Sequence, residues 1–109
     1  MDPAAFVPHM SVPGFYVASH PLFGGAYCKV GHSGSLGDRL HDGAYVTCFP
    51  PPAWRFEGTL ETETKQGAAR VEAGVLRCLR AARAAPQSEL VARPAARVLD
   101  LAEAVARRL

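Results

Sequence analysis

The sequence lacks paired cysteines, long apolar runs and any strong charge of one sign. Its three cysteines, Cys28, Cys48 and Cys78, form no Cys-x-x-Cys unit. An odd, scattered set argues against a disulfide framework or a zinc finger and fits a reducing compartment. His9, His20 and His41 stand at no ligand spacing from those cysteines. No apolar run reaches the ~20 residues that cross a bilayer, so no membrane partner is expected. The first residues lack a charged stretch followed by an apolar one. No secretion signal is therefore expected, and the chain is expected to be intracellular, in cytoplasm or nucleus. Formal net charge is +2, too small to demand a polyanionic partner.

What is present is a chain of 109 residues, 49% of them apolar, enough for one domain with one core. Charge is uneven. Residues 1–64 carry three Lys/Arg and six Asp/Glu, or −3, whereas residues 65–109 carry nine and four, or +5. A basic second half can face phosphates, or it can be a solvated helical surface.

Residues 1–13 hold three prolines and no period, and read as a loose lead-in to a single domain over 14–109. Strands are predicted over 14–20 and 26–31, joined by a turn with Gly24 and Gly25. A short helix is predicted to begin over 33–36, capped by a serine and closed at Gly43. Three prolines at 50–52 break the chain. Residues 53–62 alternate Trp54, Phe56, Gly58 and Leu60 with polar partners, the pattern of a half-buried strand. The spacing of Ala68, Val71, Val75, Leu79 and Ala82 predicts a helix over 64–84, ended by Pro86. A short extended piece at 88–91 and a last helix opened by Pro94 complete an α+β layer, a three-stranded antiparallel sheet covered by helices.

Several residues carry chemistry. Strand alternation puts Tyr27 and Lys29 on one face, where Tyr16 can come alongside. An ammonium near a phenol favours the phenolate; a strand lysine can equally point to water. His32 follows the second strand where a helix is about to start, a junction whose backbone N–H groups suit a phosphate. It can also be a loop histidine with no partner. Arg39 can clamp a phosphate with two donors or pair with Asp38 or Asp42. Glu72 lies at the edge of the apolar face of its helix, near Ala68, Val75 and Leu79. A carboxylate there needs a salt bridge or a metal.

Taken in order, Gly14-Phe15-Tyr16, Lys29-Val30-Gly31, Arg39 and Glu72 resemble the GIY-YIG nuclease superfamily. The likeness is greatest to its small viral, phage and bacterial branch, whose second motif reads Lys-Ile-Gly. Ser88-Glu89-Leu90 is similar to that branch's Ser-Glu-Trp-Phe signature. Phe15 stands where the family has isoleucine, and its late asparagine has only Gln87 nearby. The resemblance implies a three-stranded antiparallel sheet flanked by helices and metal-dependent hydrolysis of DNA phosphodiesters. It implies Tyr16 as general base or relay, Lys29 in place of the second motif's tyrosine, and Arg39 on the scissile phosphate. Glu72 would bind one Mg²⁺ or Mn²⁺. Lys29 with His32 matches a pairing found in some restriction enzymes of the superfamily. Arg70, Arg77 and Arg80 are expected to track the DNA backbone. The polar ends of Tyr16, Lys29, Arg39 and Glu72 are expected to meet on one concave surface. Sequence specificity is expected to be low unless the chain forms a homodimer or is recruited. The alternative is a catalytically inactive module of the same fold that binds nucleic acid or protein.

Overall fold

A computed structural model describes residues 12–40, 54–85 and 88–109. The predicted stops at Gly43, at the prolines of 50–52 and at Pro86 lie outside the described residues, as does Gln87. Strand β1, Gly14–Ser19, runs into a 3-10 turn, Pro21–Phe23. His20 caps that turn by accepting the Leu22 N–H at Nδ1, 3.2 Å away. Gly24 and Gly25 then take φ of 55° and 84°, a left-handed region closed to most side chains. The chain returns as β2, Cys28–Ser33, antiparallel to β1. Helix α1, Leu36–Leu40, follows.

Strand β3, Arg55–Glu61, pairs antiparallel with the other side of β1. Helix α2, Lys65–Cys78, is capped by Thr64, whose Oγ1 accepts the Gly67 N–H at 2.9 Å. After a 3-10 turn, Arg80–Ala82, comes β4, Leu90–Val91, and then α3, Ala95–Arg107. The sheet order is β3-β1-β2-β4. The class is α+β as expected, with a fourth strand where a loose extended piece was predicted.

Two boundaries differ from expectation. Helix α2 stops at Cys78 rather than running to residue 84, because the chain after it pairs with the β4 segment. Ala84 N–H donates to Leu90 O at 2.9 Å and Ala92 N–H to Ala82 O at 2.8 Å. That ladder uses backbone groups a helix would have consumed. The lead-in is also not loose at its end. Val12 O accepts the Leu36 N–H and Pro13 O the Thr62 N–H, each at 2.9 Å.

Both faces of the sheet are covered. On one, Phe15, Val17, Cys28 and Val30 pack against Val71 and Val75 of α2 and Val98 and Ala102 of α3, all buried. Each valine or phenylalanine among them contributes about 1.5–3 kcal/mol by leaving water. Burial also pushes the Cys28 thiol up to about 11, so this cysteine is inert packing. On the other face Tyr16, Ala18 and Leu36 form a smaller cluster with Val12, Trp54 and Phe56. Among the described residues no helix is long and apolar enough to cross a membrane.

Candidate active site

The register of β1 on β2 decides where the predicted residues go. Tyr16 opposes Gly31 and Ala18 opposes Lys29, so Tyr16 and Lys29 share the face that carries α1. Phe15 opposes His32, which turns His32 to the other face, under α2. There His32 Nδ1 meets Glu72 Oε2. The expected single concave surface is therefore not formed. The set is divided by the sheet, with Tyr16, Lys29 and the helix bearing Arg39 on one side and His32 with Glu72 on the other.

What the two sides share is the rim of β2. Strand β4 pairs only with Cys28 and Lys29, and its last contact is Val30 N–H donating to Glu89 O at 2.9 Å. Beyond Val30 no described strand lies outside β2. His32, two residues on, turns its own N–H toward the same open rim. Tyr16 reaches the rim from the other face, because its ring lies flat over Gly31. A Cβ built on Gly31 would stand 2.4 Å from Tyr16 Oη. The glycine of the second motif is thus the floor for the tyrosine of the first. Gly14 is similarly filled, with Leu36 Cδ1 at 2.5 Å from a built Cβ. Gly31→Ala is expected to cost about 1–3 kcal/mol as an overpacking change and to lift the Tyr16 hydroxyl. A lowered urea midpoint would register the packing cost.

Tyr16 is only 2% exposed and stacks on Phe56, ring centroids 4.7 Å apart. Lys29 Nζ stands 5.8 Å over the Trp54 ring. Arg39 is half-buried on α1, and makes no ion pair with Asp38; Asp42 lies outside the described residues. The N–H groups where β2 runs into α1 are the expected phosphate cradle. They are largely spent. Ser35 N–H donates to Ser33 Oγ at 3.0 Å and Leu36 N–H to Val12 O at 2.9 Å. Asp38 N–H points at Ser35 Oγ at 3.4 Å, the expected serine cap. Arg70, Arg77 and Arg80 are exposed; the first two lie on α2 and the third on the turn after it.

Glu72 is 9% exposed, at the edge of the buried stripe of α2 as the helical spacing predicted. Burial raises its pKa; the His32 hydrogen bond opposes this, and the Glu89 carboxyl pushes it up again through a hydrogen bond and its charge. Glu89 is the member of the site that residue-by-residue reasoning did not assign. Its signal was the Ser88-Glu89-Leu90 piece, which β4 carries to the rim.

Two neighbouring carboxyls favour a cation between them. Among the described residues no group of three or more His, Cys, Asp or Glu is arranged to hold a metal. A zinc-type site does not fit. A hard cation held by one or two carboxylates and otherwise by water does fit, with Glu72 and Glu89 as its protein ligands.

Fold and rim together define a small α+β domain with an acidic and imidazole cluster beside a buried tyrosine. The chain is 49% identical over 94 residues to a segment of the proteins named probable helicase A859L from two African swine fever viruses, the Pretoriuskop tick isolate and the Badajoz strain. It is 47% identical over 97 residues to the protein of that name from the Malawi tick isolate. These matches cover 85–88% of this chain, and the chain spans only 11% of the length of those relatives. No family model and no solved structure matches the chain.

Proposed function

We propose that this domain is a metal-dependent endonuclease that hydrolyses phosphodiester bonds of DNA. The observation that carries the reading is the open rim of β2. There the Tyr16 hydroxyl lies over Gly31, and the next residue, His32, pairs with Glu72 from the opposite face. A phosphodiester crossing that rim meets groups from both faces. The relatives' name, probable helicase, supports a nucleic acid as partner.

In this mechanism water attacks the phosphorus in line, and Tyr16 accepts its proton. A phenol titrates near 10, so it needs a cation close by. Lys29, on the Tyr16 face, is that cation. His32 orients Glu72 and turns a backbone N–H to the rim, where it can donate to a phosphate oxygen. Arg39 offsets the charge that builds on the phosphoryl oxygens. A divalent cation held by Glu72 and Glu89 would supply a Lewis acid for the leaving oxygen. Arg70, Arg77 and Arg80 follow the backbone outside the site, in a salt-dependent manner. One copy makes a nick; a homodimer would be needed to cut both strands in concert.

The burial of Tyr16 and the division of the set by the sheet favour a second reading, a binding module that does not cleave. A nicking assay separates the two. Supercoiled plasmid should convert to the open circle with Mg²⁺ and stay intact with a chelator. No cleavage of duplex, branched or single-stranded DNA, or of RNA, with either Mg²⁺ or Mn²⁺ would leave the binding module.

A further inference from the structure

The other end of the sheet carries a group of aromatic rings that the proposed chemistry does not use. Where β1 ends and β2 begins, His20, Phe23, Tyr27 and Trp54 pack ring against ring. His20 meets Trp54 at 5.3 Å and Phe23 at 6.2 Å, and Phe23 meets Tyr27 at 5.7 Å and Trp54 at 6.0 Å. None of these rings is buried; all four are half-exposed. Leu22, in the same turn, is 81% exposed. Apolar surface left wet in this way is unfavourable unless something else covers it.

Cations sit among the rings. Lys29 Nζ lies over the Trp54 indole, and the Arg55 side chain, 70% exposed and paired with Glu57 at 3.1 Å, borders a groove that Ser19, His20, Tyr27 and Pro94 also line. That groove, about 640 Å³ in volume, lies toward the start of α3 and is not lined by Phe23 or Trp54. Trp54 directly precedes β3 and Phe56 lies within it, two residues on; both join the Tyr16 cluster. Phe56 in turn stacks on Tyr16. A row of rings thus leads from the buried Tyr16 to the turn at 20–27, with the Lys29 ammonium over Trp54. Paired bases hide their faces in a duplex. Unpaired bases present a face to every ring they meet, and cations between rings hold the phosphates.

We propose that the His20, Phe23, Tyr27 and Trp54 cluster is a stacking platform for unpaired nucleobases. It binds the single-stranded arm of a nucleic acid and leads it to the rim of β2. As a statement about substrate class this rests on the nuclease reading. As a statement about binding it does not.

Trp54 is the only tryptophan in the chain, so its emission reports the platform directly. The whole chain is titrated, in chelator, with a 12-nucleotide oligothymidylate and separately with a blunt hairpin of equal phosphate number. The expected result is quenching of Trp54 by the single strand and weaker binding of the hairpin. Phe23→Ala should weaken single-strand binding by about 5- to 150-fold, the equivalent of one lost base stack, and leave the hairpin affinity unchanged. Phe23→Leu keeps the packing but not the aromatic plane, and should weaken single-strand binding in the same direction. Equal affinity for the two forms, no quenching, or a Leu variant with wild-type single-strand affinity would overturn the platform. An apolar protein surface would then be the better occupant for the turn. Because the titration contains no metal it reads binding alone; quenching there with no cleavage once Mg²⁺ or Mn²⁺ is added would uphold the platform and count against the nuclease. Cleavage that favours blunt duplex would do the reverse.

Discussion

Glu72→Gln is expected to abolish Mg²⁺-dependent cleavage, by about 100-fold or more, the scale of losing one preorganised charged group. The fold should be no weaker at neutral pH. Glutamine keeps the length of the side chain and can still accept from His32, but it lacks the charge a hard cation requires. The stability argument follows from the direction of the Glu72 shift. Burial first, and Glu89 after it, raise this carboxyl above its ordinary value of 4.5 against the pull of His32. A raised carboxyl stabilises the folded state while protonated. That contribution is full below the ordinary value and is lost as pH rises through the folded one. Metal-free wild type should therefore lose stability relative to the Gln variant as pH rises above the ordinary value of 4.5. Urea midpoints across that range read the difference. Millimolar Mg²⁺ should raise the wild-type midpoint and not that of the variant. Undiminished cleavage by the Gln protein at saturating Mg²⁺ would remove Glu72 from the mechanism.

Tyr16→Phe and Arg39→Ala should fail in different ways. The first deletes one hydroxyl from a ring that stays stacked on Phe56 over Gly31. Turnover should drop by about 100- to 10,000-fold, the usual cost of a general base, with nucleic-acid affinity almost unchanged. The second removes the guanidinium that the proposed mechanism places on the phosphate before and during reaction, so affinity and turnover should fall together. Binding by anisotropy and single-turnover cleavage separate the two patterns. A fully active Phe variant would make Tyr16 a packing residue and move the search for a base to His32.

Much of the frame could be read in advance because local rules and packing agree. Gly24 and Gly25 sit where the hairpin must turn, and the spacing of Ala68, Val71 and Val75 placed α2 and the position of Glu72 on it. The end of α2 could not be read. Ala81, Ala82 and Ala84 favour helix, and only their pairing with the β4 segment, distant in sequence, overrides that preference. The division of the site had a simpler source. The second strand was ended at Gly31, which left His32 in a loop free to face either way. Strand β2 continues to Ser33. Within one strand, residues three apart must point to opposite faces, so Lys29 and His32 could not share a surface.

The brevity of β4 has a further consequence. A longer final strand would zip against the whole of β2, satisfy its outward N–H and C=O groups and add stability. It would also bar any backbone phosphate from the rim. Among the described residues the fold instead leaves a short stretch of β2 edge without a partner strand, a template on which another chain's strand can grow. Only about three residues are offered, and an imidazole and two carboxyls crowd them. Such an edge is too brief and too polar to nucleate self-association, yet long enough to receive one extended strand of a different polymer.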